Sequence, residues 1–340
     1  MLSNADLAEL LARASEDEEA HRARALRRAS RAALHWPDEA HELAERGTLT
    51  ELRAVGPWVA RIIEAWLDVP PPVPEPPETR RGFLSRAEVR RLIGDHPEWG
   101  PVFRTDLQMH STWSDGKAPL EDMALAAAER GRATVAVTDH SKDLPIARGM
   151  DEATLLRQGT AIDELNERLD GRPLLLRSIE MNLTPEGEGD MDPGVLAGLD
   201  LVLGAFHSRL RVTDDQTERY LAAVRNPTVH VLAHPRGRRW GVRPGLRADW
   251  PRVFAVAAEA RTALEVDAFP DRQDLPVDLI EVARDTGAWL SMGTDAHQPH
   301  ELDHLDFAVG AAIAARFPLD RVLNARPAEE IRAWAAGDAV

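Results

Sequence analysis

Seven times after residue 104, a short aliphatic or β-branched run closes on a segment carrying an imidazole or a carboxylate: DLQMH, VTDH, SIEMN, AFHS, LAHP, LEVDA and GTDAH. Helix-compatible stretches at 119–130, 152–169, 215–224, 251–260 and 276–286 separate many of these runs. Alternation of this kind predicts parallel strands joined by crossover helices, since parallel neighbours cannot be linked by a tight turn. The predicted strands are 105–109, 133–138, 174–179, 201–206, 229–233, 263–266 and 288–293. About seven strand–helix units point to a closed or nearly closed barrel. In such a barrel the C-terminal strand ends converge on one face. His110, His140, Glu180, His207, His234, Asp295 and His297 are then expected to meet, with Asp115 in reach of the same rim.

Clustered carboxylates repel one another, and clustered histidines lose their hydration, unless cations satisfy both. A nitrogen and oxygen donor set without sulfur suits Mn, Fe or Zn, and the chain has no cysteine. The donors outnumber the four of a structural zinc site, so two or three ions are expected. Multinuclear sites of this kind act on phosphoryl groups. One histidine at a strand end is usually an ordinary surface or core residue; seven strand ends behaving alike make coincidence a poor account. His230, four residues before His234, reads as a core residue below the site. Arg148, Arg236, Arg238, Arg272 and Lys142 follow strand ends and suit phosphate oxygens, although pairing with nearby acids explains each of them equally well.

The first part of the chain has a different pattern. Leu7, Leu10 and Leu11 recur at helical spacing, residues 18–34 are rich in helix formers, and Asp38 is placed to cap a third helix. Residues 49–67 read as two short helices around a turn that contains Gly56, with Pro57 at the first helical position. The run VPPPVPEPPET at 69–79 reads as a semi-rigid linker, followed by a short bridging helix. The expected organisation is therefore a helical domain at 1–68, a linker and bridge at 69–103, and an α/β domain at 104–340.

A net charge of -16 gives little general attraction to nucleic acid, so any such contact needs a local basic patch. Arg24, Arg27, Arg28 and Arg31 supply one, because their spacing places them in a single helical stripe. A solvated face paired with Glu18 and Glu19 is the alternative. The absence of a long apolar run and of a signal-like start points to a cytoplasmic protein without membrane partners.

At DLQMHSTWSDG, TDHS and GTDAH, with the isolated Glu180, His207 and His234-Pro235, the chain resembles the PHP (polymerase and histidinol phosphatase) family. The stretches LDGRPLLLRSIE, AHPRGR and DRQDL make it most similar to the PHP domain of bacterial family X DNA polymerases. The resemblance implies a distorted (β/α)7 barrel around a trinuclear centre that cleaves phosphoesters. It implies His110, Asp115, His140, Glu180, His207, His234, Asp295 and His297 as ligands. Glu180, Asp295 and His297 form the catalytic subset, and Glu180 bridges two ions. Gln108 stands where many relatives have the first histidine of an HxH pair, and implies a weaker ligand there. Residues 1–69 resemble the small helix-hairpin-helix module of those polymerases, although Ala54-Val55-Gly56-Pro57-Trp58 stands where two glycines and a lysine are usual. The polymerase palm is missing. The implied substrate is a phosphoester on DNA ends or nucleotides. A small-molecule phosphatase of the histidinol-phosphate type and a DNA-binding module with a vestigial metal site are the alternatives.

Overall fold

Parallel strands alternating with helices dominate the chain, as the repeated strand endings require. A computed structural model describes residues 1–338. The chain divides into two units: residues 1–95 with 240–244, and residues 96–239 with 245–338.

The first unit is built on α1 (Asn4–Ala14), α2 (Ala20–Ala33), α3 (Ala40–Arg46), α4 (Pro57–Asp68) and α5 (Arg86–Asp95). Ser3 and Asp6 form a reciprocal capping box that starts α1. Its helices close over Leu7, Leu11, Leu26, Trp36 and Ile63, all buried. Asp38 does not cap α3 with its side chain; Glu39 is the N-cap residue, and the Asp38 carbonyl accepts from Asn4 Nδ2 at 2.9 Å. Pro57 does open α4. The left-handed residue of the turn before it is Ala54, with φ +66°, whereas Gly56 has φ -85° and needs no glycine.

The proline-rich segment avoids helix, but it is not a free spacer. Arg80 grips the buried carboxylate of Glu9 through two hydrogen bonds, at 2.7 and 3.0 Å, and Phe83 buries in the core of the helical unit. Segment and bridging helix therefore both belong to the first unit, and the division falls after Asp95 rather than at 69–103.

The second unit carries β1 (Thr105–Met109), β2 (Thr134–Val137), β3 (Leu174–Asn182), β4 (Leu201–Ala205), β5 (Val231–Leu232), β6 (Ala263–Asp267) and β7 (Leu290–Gly293). They pair in sequence order and all in parallel. The sheet nearly closes on itself. Met109 bridges Ala296, His110 N donates to Ala296 O at 2.8 Å, and Asp295 N donates to Gln108 O at 3.1 Å. The crossovers and flanks are α6 (Leu120–Glu129), α7 (Glu152–Arg168), α8 (Pro193–Leu196), α9 (Thr217–Arg225), α10 (Trp250–Ala260), α11 (Val277–Thr286), α12 (Leu305–Ala314) and α13 (Ala328–Ala335). This is the distorted (β/α)7 barrel expected from the sequence. β5 is shorter than the predicted 229–233, yet its ladder bonds extend from His230 N to Ala233 N.

The register of β1 against β2 shifts between Asp106 and Met109. Leu107 accordingly joins Ala136, Leu176, Leu203 and Val231 in one apolar cluster, while its neighbour Gln108 meets Glu265 of β6. That apolar layer supports the polar groups at the C-terminal strand ends.

Candidate metal centre

The fold brings all eight expected side chains into one cluster. Glu180, near the end of β3 and 1% exposed, is at its middle. Glu180 Oε1 lies 2.7 Å from His234 Nε2 and 3.1 Å from His207 Nε2. Glu180 Oε2 lies 3.2 Å from His140 Nδ1 and 3.3 Å from His110 Nε2. His110 Nε2 is also 3.0 Å from Asp295 Oδ1. Asp115 Oδ1, on the loop after β1, is 3.2 Å from His297 Nε2 and 3.5 Å from His140 Nε2. Three overlapping groups result: His110, Asp115, His140 and His297; His140, Glu180 and His207; His110, Glu180 and Asp295. Within each, the donor atoms lie within 4.8 Å of one another.

Buried polar atoms in proteins almost always have hydrogen-bond partners. Here His110 Nδ1 and Nε2, His140 Nδ1 and Glu180 Oε2 are buried without one. Orphaned atoms of ligating type, gathered at one point, fit divalent cations. The ring nitrogens are also prepared for that use. His297 Nδ1 donates to Asp295 O at 2.8 Å, and His207 Nδ1 lies 3.2 Å from Asn182 Oδ1. Both arrangements leave Nε2 facing the cluster.

The charges follow from this packing. Burial raises Asp115, but the hydrogen bond with His297 and the nearby imidazoles outweigh it and hold the carboxyl at about 2. Burial pushes His140 down to about 3 against the pull of Glu180. Burial lowers His234 and His297 too, yet Glu180 lifts His234 to about 10, and Asp115 with Asp295 lifts His297 to about 9. Glu180 itself is held well below the carboxylate range, because the imidazoles overcome its burial.

Several buried carboxylates behind the cluster carry no ligand signature in the sequence. Asp139, inside the TDHS motif, accepts from both the N–H and the hydroxyl of Ser111 and of Ser114, and from Gln158. Asp106 accepts from Thr294 N and Oγ1 at 3.0 and 2.7 Å. Glu265 accepts from His234 N at 2.6 Å, and burial raises its pKa well above the usual range. Only the letters of LEVDA hinted at Glu265 and Asp267.

Gln108 is fully buried, and its carboxamide, with the nitrogen turned toward β6, donates to the Glu265 carboxylate at 3.1 Å. This amide–carboxylate pair accounts for the side chain without a metal ion, where the sequence suggested a weak ligand. Gly293 permits it: a Cβ there would lie 2.3 Å from Gln108 Cβ and 2.9 Å from Glu265 Oε1.

The expected phosphate-binding residues divide. Arg272 pairs with Asp295 and with Asp267, 3.3 Å away. Arg148 is exposed on the loop between β2 and α7. Lys142 is tied to Glu152 at 2.6 Å. Arg236 reaches the Leu246 carbonyl, and Arg238 is buried, its guanidinium pushed down to about 10 by that burial. His230 stays outside the cluster, and its Nδ1 accepts from Val202 N at 3.0 Å. Asp190 and Asp192 are also spent locally: Asp190 accepts from Ser141 and from Asp143 N, and Asp192 caps α8.

No family model matches the chain. Among curated proteins, it is 36% identical over 230 residues to the DNA polymerase/3'-5' exonuclease PolX of Bacillus subtilis, covering 67% of this chain and 40% of that protein. It thus spans less than half of the length of that relative. It is 27% identical over 232 residues to the probable phosphatase YcdX of Escherichia fergusonii, covering 67% of this chain and 92% of that protein. Among solved structures, histidinol phosphate phosphatase from Lactococcus lactis, complexed with zinc, L-histidinol and phosphate, aligns with a TM-score of 0.46 and 15% identity. That alignment covers 63% of this chain and 94% of the other. Among the described residues, no helix is long and apolar enough to cross a membrane.

Proposed function

We propose that the chain is a metal-dependent phosphoesterase of the PHP family that hydrolyses phosphate esters at DNA ends or on nucleotides, as a 3′-5′ exonuclease, a 3′-phosphatase or both, without polymerase activity. The convergence of eight nitrogen and oxygen donor residues, Glu180 at their middle, carries this reading. We assign two or three ions of Mn, Zn or Fe to the three donor groups, with Glu180 shared between two of them. Bound there, such ions supply Lewis acidity toward phosphoryl oxygens and ionised water at neutral pH.

The protein's own residues hold and orient. Asp115, Glu180 and Asp295 stay anionic because imidazoles or Arg272 surround them. Arg272, anchored by Asp267 and about a third exposed, presents positive charge beside Asp295, where a phosphoryl oxygen would arrive. Arg148 on its exposed loop is a further contact for substrate phosphate.

Support for a nucleic-acid substrate comes from α2. Arg24, Arg27, Arg28 and Arg31 are all exposed, and none has a carboxylate partner among the described residues. A small-molecule phosphatase is the second reading, favoured by the similarity to YcdX over 92% of that protein.

The test is a panel of phosphoesters with Mn²⁺: single-stranded DNA, 3′-phosphorylated DNA, nucleotides and histidinol phosphate. The expected result is hydrolysis of the nucleic-acid substrates that chelation abolishes and Mn²⁺ restores. Replacing the four arginines of α2 by serine should raise KM for DNA and leave a small phosphoester unaffected. It should also flatten the salt dependence of DNA binding. Metal content well below one ion per chain that Mn²⁺ cannot restore would overturn the reading; turnover of histidinol phosphate alone would transfer it to the second.

A further inference from the structure

Asp115 differs from the other donors in its origin. The rest lie at or just after strand ends held by the barrel ladder, whereas Asp115 sits farther along the loop after β1 and is a third exposed. A ligand on a loop must be fixed by something other than strand pairing. The loop closes on itself at Thr112 N to Ala118 O, 3.0 Å, and a Cβ at Gly116 would lie 2.5 Å from Ser111 O. On one side Lys117 N donates to His297 O at 2.8 Å; on the other the loop is anchored by the buried carboxylate of Asp139. Its Oδ1 accepts from Ser111 N at 2.9 Å, Ser114 N at 3.1 Å and Ser114 Oγ at 2.6 Å. Its Oδ2 accepts from Ser111 Oγ at 2.7 Å and from Gln158 Nε2 on α7 at 2.7 Å.

We propose that Asp139 is a positioning residue, which sets Asp115 against His140 and so governs the affinity of the ion position that Asp115 completes far more than that of the others. The placement gives the reason. Ser114 is bonded to one side of Asp139 in space and is the residue before Asp115; His140 is the residue after Asp139 in sequence. One carboxylate therefore ties the loop donor and the β2 donor of the same group to each other. A neutral carboxamide would turn an N–H₂ toward some of these five donors and release the loop. The Glu180 and Asp295 donors hang on β3 and β7 and do not depend on this junction. The proposal rests on the metal-centre reading above.

The experiment is a Mn²⁺ titration of the full chain, followed by electron paramagnetic resonance, for wild type, Asp139→Asn and Ser114→Ala. Thermal unfolding in EDTA is measured in parallel. Asp139→Asn should weaken one class of sites by about 10–100-fold and change the remaining class far less. Ser114→Ala removes a single hydroxyl and should weaken the same class by about tenfold, and it keeps the test alive if the aspartate variant fails to fold. Uniform weakening of all sites, or a lower unfolding midpoint with every affinity intact, would show a merely structural carboxylate and overturn the proposal. A wild-type protein that binds no Mn²⁺ would instead overturn the metal-centre reading itself.

Discussion

The two ends of the barrel bury comparable polar groups and treat them in opposite ways. At the N-terminal end each is largely consumed by backbone. Arg132 donates to the carbonyls of Phe103 and Leu302, Asn166 exchanges bonds with both the N–H and C=O of Leu175, and His230 accepts from Val202 N. At the C-terminal end the polar atoms of His110, His140, Glu180, Asp115 and Asp295 face one another, and several lack any hydrogen-bond partner. The difference separates polar groups that hold a fold from polar groups held ready for a ligand. Residue type does not make that distinction; His230 and His234 lie four residues apart on the same strand run and fall on opposite sides of it.

The largest expected effect breaks the ligand end at its centre. Glu180→Gln removes a charge shared by two donor groups and should lower kcat/KM on the best accepted substrate by on the order of 10³-fold, about 4 kcal/mol in transition-state terms. Turnover close to wild type in that variant would remove Glu180 from the centre. A smaller effect sharpens the boundary between the two kinds of group. Gln108→Leu leaves Glu265 without its amide partner and should cost about 1–3 kcal/mol of stability in denaturant unfolding. The Mn²⁺ stoichiometry should not change; the loss of one ion per chain would return Gln108 to the ligand set.

The smallest effect belongs to the N-terminal end. Burial lowers the pKa of His230, so the folded chain favours its neutral ring. Below pH 6.5 the unfolded chain takes up the proton more readily, and the associated stability, complete above that pH, is lost as the solution acidifies. His230→Asn, which keeps an acceptor for Val202 N, should make stability less steep as the pH falls below about 6.5, with no change in Mn²⁺ binding. An unchanged acid limb in the variant would show that His230 is not the group responsible.

Much of the site was legible before folding because strand direction is written into local pattern. A hydrophobic run that ends on His140 or His297 places that side chain at a C-terminal strand end, and a parallel barrel gathers such ends without further instruction. Gln108 was not legible. Strict alternation put it beside His110 over the ions, but a register shift in β1 and the missing Cβ of Gly293 let it pair with Glu265. Asp139 was hidden for another reason: its five donors come from two other segments, the loop after β1 and α7, and a carboxylate that only accepts hydrogen bonds looks in sequence like any other acid. The proline-rich segment misled in the same way, since the Arg80–Glu9 pair that draws it onto the helical unit spans residues far apart in the chain.

By itself, then, the sequence determined the strand–helix alternation, the parallel barrel and the identity of the donors clustered at its C-terminal end, because these follow from periodicity and from which residue closes each strand. Only the tertiary structure decided which buried polar groups are satisfied and which are left facing one another, because a hydrogen-bond partner is defined by distance in space, and the partners of Gln108, Asp139 and Glu9 come from other elements of the fold.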